Sequence, residues 1–351
     1  MGAVVPSGSE VCFITLSEPS SGAASDLNAH RFPLSSSPLR RMEFSREVYS
    51  LIVKHVSTRA GLLTLCTVSR RFQLEAQRAL YNTLHLHGPS RIIAVCRLLS
   101  NTPRLSLLVE ALSLFLREDH PSNSDSEDDD DSDESGAESA ALPHDFWQVV
   151  ASALRKLDKM RFFSVHFEQL QETAQAWILS DSKFQLQTFH CDFEWDQHLA
   201  SFLRTQPEIV DLYLADYRKD VVLGLPCAEP DARPPIRVLP RLSFLECTFS
   251  EAAVVLVPGR PVMRVKTCFS RSDEDEKRAE MRDLLAKLKA SRRYLCALDL
   301  ADESYNADFS LELLAAMGGA FSRFSELRYL GTLALPVDGR KVCSVWHTCS
   351  H

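Results

Sequence analysis

From Phe44 onward the apolar residues follow one period and then another. Val48, Leu51, Ile52 and Val56 recur at i, i+3, i+4 and i+8, which predicts one face of a helix. Ser45 stands where an N-cap belongs, and Glu47 falls in the first turn, where a carboxylate suits the helix dipole. Gly61 is expected to break this helix. Leu62, Leu65, Val68, Ser69 and Phe72 carry a second helical stretch, and Leu74, Ala76, Ala79 and Leu80 a third. Helices this short bury too little to stand alone, so their apolar face needs a partner surface.

After about residue 80 a strand-like pattern, apolar-x-x-apolar-x-apolar, takes over. It occurs at Tyr81-Leu84-Leu86, Val109-Leu112-Leu114, Leu157-Met160-Phe162 and Leu186-Phe189-Cys191. It returns at Ile209-Leu212-Leu214, Leu239-Leu242-Phe244, Leu295-Leu298-Leu300 and Leu330-Leu333-Leu335, with a weak strand at Val262 to Lys266 filling a gap. Helix-like stretches separate them: Ile92 to Leu99, Asp145 to Leu157, Glu168 to Leu179, Asp196 to Leu203, Glu274 to Lys289 and Leu311 to Phe321. One strand and one helix per unit of roughly 20–30 residues is the pattern of a leucine-rich-repeat-like array. The usual turn asparagine is missing, and the units are irregular.

The expected fold is therefore α/β: a short all-helical head at 43–82, then an irregular strand/helix solenoid at 83–336. Residues 1–42, rich in Ser, Pro, Ala and Gly, are expected to be a disordered tail, and 337–351 an irregular one. Residues between the buried positions of each strand point to the opposite face, the expected binding surface. Its candidates are Arg161, Phe163, His190, Asp192, Asp211, Tyr213 and Asp299. Phe163 and Tyr213 come first, because an aromatic anchor left on a groove is costly without a partner.

Charge changes this picture in one place. The formal net charge of −8 is concentrated between Glu118 and Glu138, which holds eleven Asp and Glu and no Lys or Arg. Without that stretch the chain is slightly basic. The stretch lacks aromatic and branched apolar residues, so it is expected to be a solvated insertion. Ser122, Ser124, Ser126 and Ser135 each precede an acidic residue by three positions, which suits acid-directed phosphorylation.

The remaining chemistry is sparse. Ten scattered cysteines with no C-x-x-C pair fit reduced thiols of the cytosol or nucleus. Cys343, His347, Cys349 and His351 cluster at the end, but their spacing matches no usual zinc pattern. No Gly-x-Ser-x-Gly, P-loop, dinucleotide or His-Glu-x-x-His motif occurs, so neither catalysis, cofactor nor metal is expected. Dispersed basic residues argue against nucleic acid. Apolar runs are too short for a membrane span.

Phe44-Ser45-Arg46-Glu47-Val48, Leu51-Ile52, Leu62-Leu63 and Val68-Ser69-Arg70-Arg71-Phe72 together resemble an F-box. The family pattern opens L-P-x-E-(I/L) and closes V-S-(R/K)-x-(W/F); here Phe44-Ser45 replaces the opening Leu-Pro. Arg78-Ala79-Leu80-Tyr81 leading into Leu84-His85-Leu86 is similar to the way many fungal F-box proteins enter a repeat array. The resemblance implies a head that binds the Skp-type adaptor of a cullin–RING ubiquitin ligase. Phe44, Glu47, Val48, Leu51, Ile52, Leu62, Leu65, Val68, Arg70 and Phe72 would make that contact, while the repeats hold a protein target. The alternative is a leucine-rich-repeat-like binding scaffold without a ligase role.

Overall fold

Three helices follow Phe44: α1 (Arg46–Lys54), α2 (Arg59–Val68) and α3 (Arg70–Tyr81). The computed structural model describes residues 44–116, 142–167, 175–216, 238–302, 306–318 and 324–335. The chain divides into two compact units, Met1–His85 and Leu86–His351. The expected tails and the acidic insertion lie outside the described residues, as do Cys343, His347, Cys349 and His351.

In the first unit α3 packs against both α1 and α2. Tyr49 is the buried aromatic of α1, edge-on to Phe72 at 4.7 Å between ring centroids and to Phe44 at 5.9 Å. The Glu75 carboxylate, buried in α3, accepts from Arg46 at 3.0 Å and from Arg78 at 3.1 Å. That pairing is what makes a buried carboxylate tolerable.

Two local expectations change. Gly61 does not end α1, which stops at Lys54. It lies in the first turn of α2, where Thr58 Oγ1 accepts its N–H at 3.2 Å. A β-carbon at Gly61 would sit 2.6 Å from Val56 Cγ1, so close approach rather than helix breaking explains the glycine. Ser45 holds the N-cap position of α1 but makes no capping bond to the backbone. Its hydroxyl instead hydrogen-bonds the Glu47 side chain, which lowers that carboxyl's pKa.

The strands are β1 (Thr83–His87), β2 (Ala111–Phe115), β3 (Phe162–His166), β4 (Thr188–Glu194) and β5 (Asp211–Asp216). They continue as β6 (Phe244–Cys247), β7 (Arg264–Cys268), β8 (Ala297–Ala301) and β9 (Tyr329–Leu330). All nine lie side by side in chain order in one sheet, parallel through every pair from β2 to β9. Parallel neighbours need a crossover, and right-handed crossovers in sequence order return each connection to the same side of the sheet. The connections carry α4 (Pro89–Asn101), α5 (Pro103–Ser106), α6 (Phe146–Leu154), α7 (Gln197–Arg204), α8 (Ser250–Leu256), α9 (Glu274–Leu288) and α10 (Ala307–Gly318), plus a 3-10 turn at Ala176–Leu179. The α/β class is thus present.

A backbone detail repeats from β3 to β9. The carbonyl just before one strand accepts the first two N–H groups at the start of the next. Arg161 O takes Gln187 N at 2.7 Å and Thr188 N at 3.1 Å; Met263 O takes Cys296 N at 2.7 Å and Ala297 N at 3.2 Å. Each strand start is fixed to its neighbour in the same way, which holds the register along the sheet.

One side of the sheet is core. Leu112, Phe163, Phe189, Leu212, Leu245, Val265 and Leu298 share one register row, and all are buried. This corrects the expected phase of three strands. The buried series of β3 is Met160-Phe163-Val165, not Leu157-Met160-Phe162, and that of β6 is Leu242-Leu245-Cys247. In β9 Leu330 pairs with Leu298, so Leu333 and Leu335 lie past the paired register. Apolar residues stand in both phases of these segments, and a strand's side-chain period of two turns a one-residue ambiguity into a change of face.

Cys96, Cys191 and Cys247 are buried, whereas Cys66, Cys268 and Cys296 are partly accessible, and all six are free thiols. Burial pushes Cys96 and Cys247 up to about 12 and Cys191 higher still. A raised thiol pKa leaves almost no thiolate at pH 8. Iodoacetamide at pH 8, followed by mass mapping, is therefore expected to label Cys268 and Cys296 well before Cys96, Cys191 and Cys247. In urea all should react alike; native labelling of Cys191 at the rate of Cys296 would contradict this burial.

Candidate functional site

Two surfaces expose side chains that need explaining. The first is on the helices of the first unit. Phe44, Val48, Leu51 and Ile52 on and beside α1 are exposed, as are Leu63 and Val68 of α2 and Leu74 of α3, with Leu51 at 56% and Val68 at 60%. Leu62, Leu65 and Phe72 are half-buried, while Glu47 and Arg70 are exposed and polar. Nine of the ten expected contact residues thus lie on α1, α2 and α3, and Phe44 lies just before them. Leu63 and Leu74 were not expected. Each falls on the solvent side of its own helix, Leu74 although the helical period had placed it on the apolar face of α3.

The second surface is the open side of the sheet, opposite the core row. His190, Asp211, Tyr213, Asp192 and Asp299 lie there, each half-buried. Phe163 does not: it is 0% exposed and stacks on Phe189 in the core, with 6.0 Å between centroids. Phe162 takes the open position that had been expected for its neighbour, 5.9 Å from His190. Arg161 is exposed but precedes β3, and the sheet uses its carbonyl.

Toward the β2 end the open face is aromatic. His87 stacks on Phe115 at 4.6 Å, Phe115 on His166 at 5.6 Å, and Tyr213 stands 6.0 Å from His166 and 5.9 Å from His190. Burial, with Asp192 and Glu246 nearby, raises the Tyr213 pKa. Within this group Ser164 Oγ lies 2.7 Å from His166 Nε2, and His166 Nδ1 lies 3.3 Å from Asp192 Oδ1. Asp192 Oδ2 in turn accepts the Phe167 N–H at 3.0 Å.

That order, hydroxyl to imidazole to carboxylate, is the one acyl transfer uses. Access argues otherwise. Ser164 is only 3% exposed, and β3 is paired on both sides, which commits the N–H groups flanking Ser164 to the sheet rather than to an oxyanion. The arrangement fixes the His166 ring on the open face.

Toward the other end the face sinks into a depression of about 780 Å3. His190, Asp211, Phe244, Glu246, Arg264, Lys266, Ala297, Asp299, Arg328 and Tyr329 contribute to its lining. Lys266 donates to Glu246 at 2.6 Å, an interaction that raises the lysine pKa, and His190 faces Asp211 at 3.4 Å. The Arg264 guanidinium lies 5.0 Å over the Phe244 ring. Gly331 closes against this wall, where a β-carbon would meet Asp299 Oδ1 at 1.8 Å.

Of the expected target residues, His190, Asp211 and Asp299 come together here. Arg264 and Lys266 were missed, although alternation along the weak strand Val262 to Lys266 already placed both opposite Val265. Among the described residues no cluster of three or more His, Cys, Asp or Glu is arranged to hold a metal ion. No helix of the described residues is long and apolar enough to cross a membrane.

Comparison with known proteins finds no matching family model and no matching curated protein.

Proposed function

We propose that this chain is the substrate-recruiting subunit of a Skp–cullin–F-box type ubiquitin ligase. Its helical head docks on a Skp-type adaptor, and its strand/helix repeats, read as a leucine-rich-repeat-like solenoid, hold a protein target on the open face of the sheet. The observation that carries this reading is the exposure of Leu51, Ile52 and Val68. They fall on the F-box-like pattern, and apolar side chains grouped on α1 and α2 are the surface that a second set of helices would bury. Removing a Leu-sized side chain from water contributes about 1.5–3 kcal/mol, so a few such anchors suffice for a stable complex. The chain itself supplies no catalytic residue in this reading. Ubiquitin transfer belongs to the other subunits, in the cytosol or nucleus.

The test is copurification of the full chain with a coexpressed Skp-type adaptor, compared with a Leu51→Asp, Val68→Asp variant. Both side chains are exposed, so the variant is expected to keep the helical circular-dichroism signal of the parent. Adaptor recovery should fall more than about tenfold, because two charges would be buried at the contact without partners. Equal recovery by both proteins, or by neither, sinks the ligase role.

A further inference from the structure

Along β2 to β5 every second side chain faces the open side, and none of these is Lys or Arg. They form instead a run of rings interrupted by two carboxylates. Phe115, His166, Tyr213, His190 and Phe162 are successive neighbours, with 5.6 to 6.0 Å between centroids, and each is half-buried. Tyr213 stands between the carboxylates. Asp211 lies two positions before it on β5, and Asp192 two positions past His190, the residue that pairs with Tyr213.

Those aspartates are held by imidazoles and by one backbone N–H. His190 Nε2 faces Asp211 Oδ1 at 3.4 Å, His166 Nδ1 faces Asp192 Oδ1 at 3.3 Å, and Phe167 N donates to Asp192 at 3.0 Å. At pH 8 an imidazole is a neutral donor, which holds a carboxylate without cancelling its charge. Among the described residues no Lys or Arg pairs with either aspartate. Lys266 is taken by Glu246, Arg264 lies over Phe244, and Arg161 precedes β3. Burial, then the charges of Asp192 and Glu246, push the Tyr213 pKa up, with Lys266 acting the other way. A place that resists a further negative charge favours a positive one.

From this geometry we infer that the Tyr213 region of the open face binds an arginine side chain from a basic segment of the target protein. The guanidinium lies flat on the Tyr213 ring and donates to Asp211, which has 42% of its side chain exposed against 19% for Asp192. An anion would meet two carboxylates here. A purely apolar segment would strip them of water and return no donor. Arginine fits better than lysine, because its plane stacks on a ring while its edge still presents a fork of donors. This inference rests on reading the open face as the target surface, and it names the residue that the target offers.

The probe is a fluorescein-labelled twelve-residue peptide, Arg-Ala-Arg flanked by Gly-Ser repeats, titrated against the full chain by polarisation at low salt and pH 8. Tyr213→Leu and Asp211→Asn should each weaken binding by about fivefold. Tyr213→Phe, which keeps the ring, and Asp283→Asn, exposed on α9, should leave it within about twofold. A peptide with citrulline for both arginines should not bind, a Lys-Ala-Lys peptide should bind less tightly, and added salt should weaken binding. Equal binding of the citrulline or lysine peptide overturns the inference, as does binding indifferent to Tyr213→Leu and Asp211→Asn. Tighter binding of a Glu-Ala-Glu peptide, or no binding at millimolar protein, overturns it as well. Adaptor copurification is a separate readout. Failure of the parent chain to recover adaptor, with arginine-peptide binding intact, counts against the ligase role alone. Adaptor recovery together with peptide binding that ignores Tyr213 and Asp211 overturns this inference alone.

Discussion

Phe163→Ala is expected to lower the unfolding free energy by about 3–5 kcal/mol, whereas Phe162→Ala, one residue away, should cost much less. Phe163 is fully buried in the core row between Leu112 and Phe189, and its ring stacks on that of Phe189. Truncating it removes the transfer term and leaves a cavity that paired strands cannot collapse around. Phe162 points to the open face and is half-buried beside His190, so its loss vacates no enclosed space. Urea unfolding with a shared m-value would measure the difference. Similar midpoints for the two variants would mean that β3 is in the other phase.

The same pair shows how far the sequence could be read. The strands and their order were legible because each repeats one short apolar pattern, and parallel neighbours in chain order follow from helices between them. The face of a given strand was less so. Where a segment offers Leu157, Met160, Phe162, Phe163 and Val165, either phase satisfies the pattern, and only packing against Leu112 and Phe189 selects one. His190, Asp211 and Asp299 were placed on the open face because their strands carry no such doubling.

Other features are invisible to periodicity. The depression depends on Ala297 being small between two large neighbours, a relation among three strands that no single segment encodes. Asp192 meets His166, which shares a face of β3 with Ser164, only through the register of β3 with β4. The exposed apolar face of α1 and α2 is the opposite case. Its residues were legible at once, since a face too apolar for so short a set of helices already implies something to cover it.

Lys277 gives the second large effect, and the sequence hides it well. It stands in Glu274–Leu288, whose run of charges reads as a solvated helix, yet Lys277 is only 7% exposed. Its ammonium donates to Asp302 at 2.5 Å and lies 5.0 Å from the centre of the Phe309 ring, so it ties α9 to the end of β8 and to α10. Asp302 is itself mostly buried, with 13% of its side chain exposed.

Lys277→Met keeps the aliphatic volume but takes the ammonium away from the mostly buried Asp302 carboxylate, and is expected to cost about 3–5 kcal/mol. The double variant Lys277→Met, Asp302→Asn removes both charges and should recover much of that loss, since an apolar or neutral pair of similar volume is often no worse than a buried ion pair. Thermal and urea unfolding of the four proteins in the cycle would give the coupling. Additive losses would show that the two charges do not depend on each other, and that the ion pair is not what holds α9 in place.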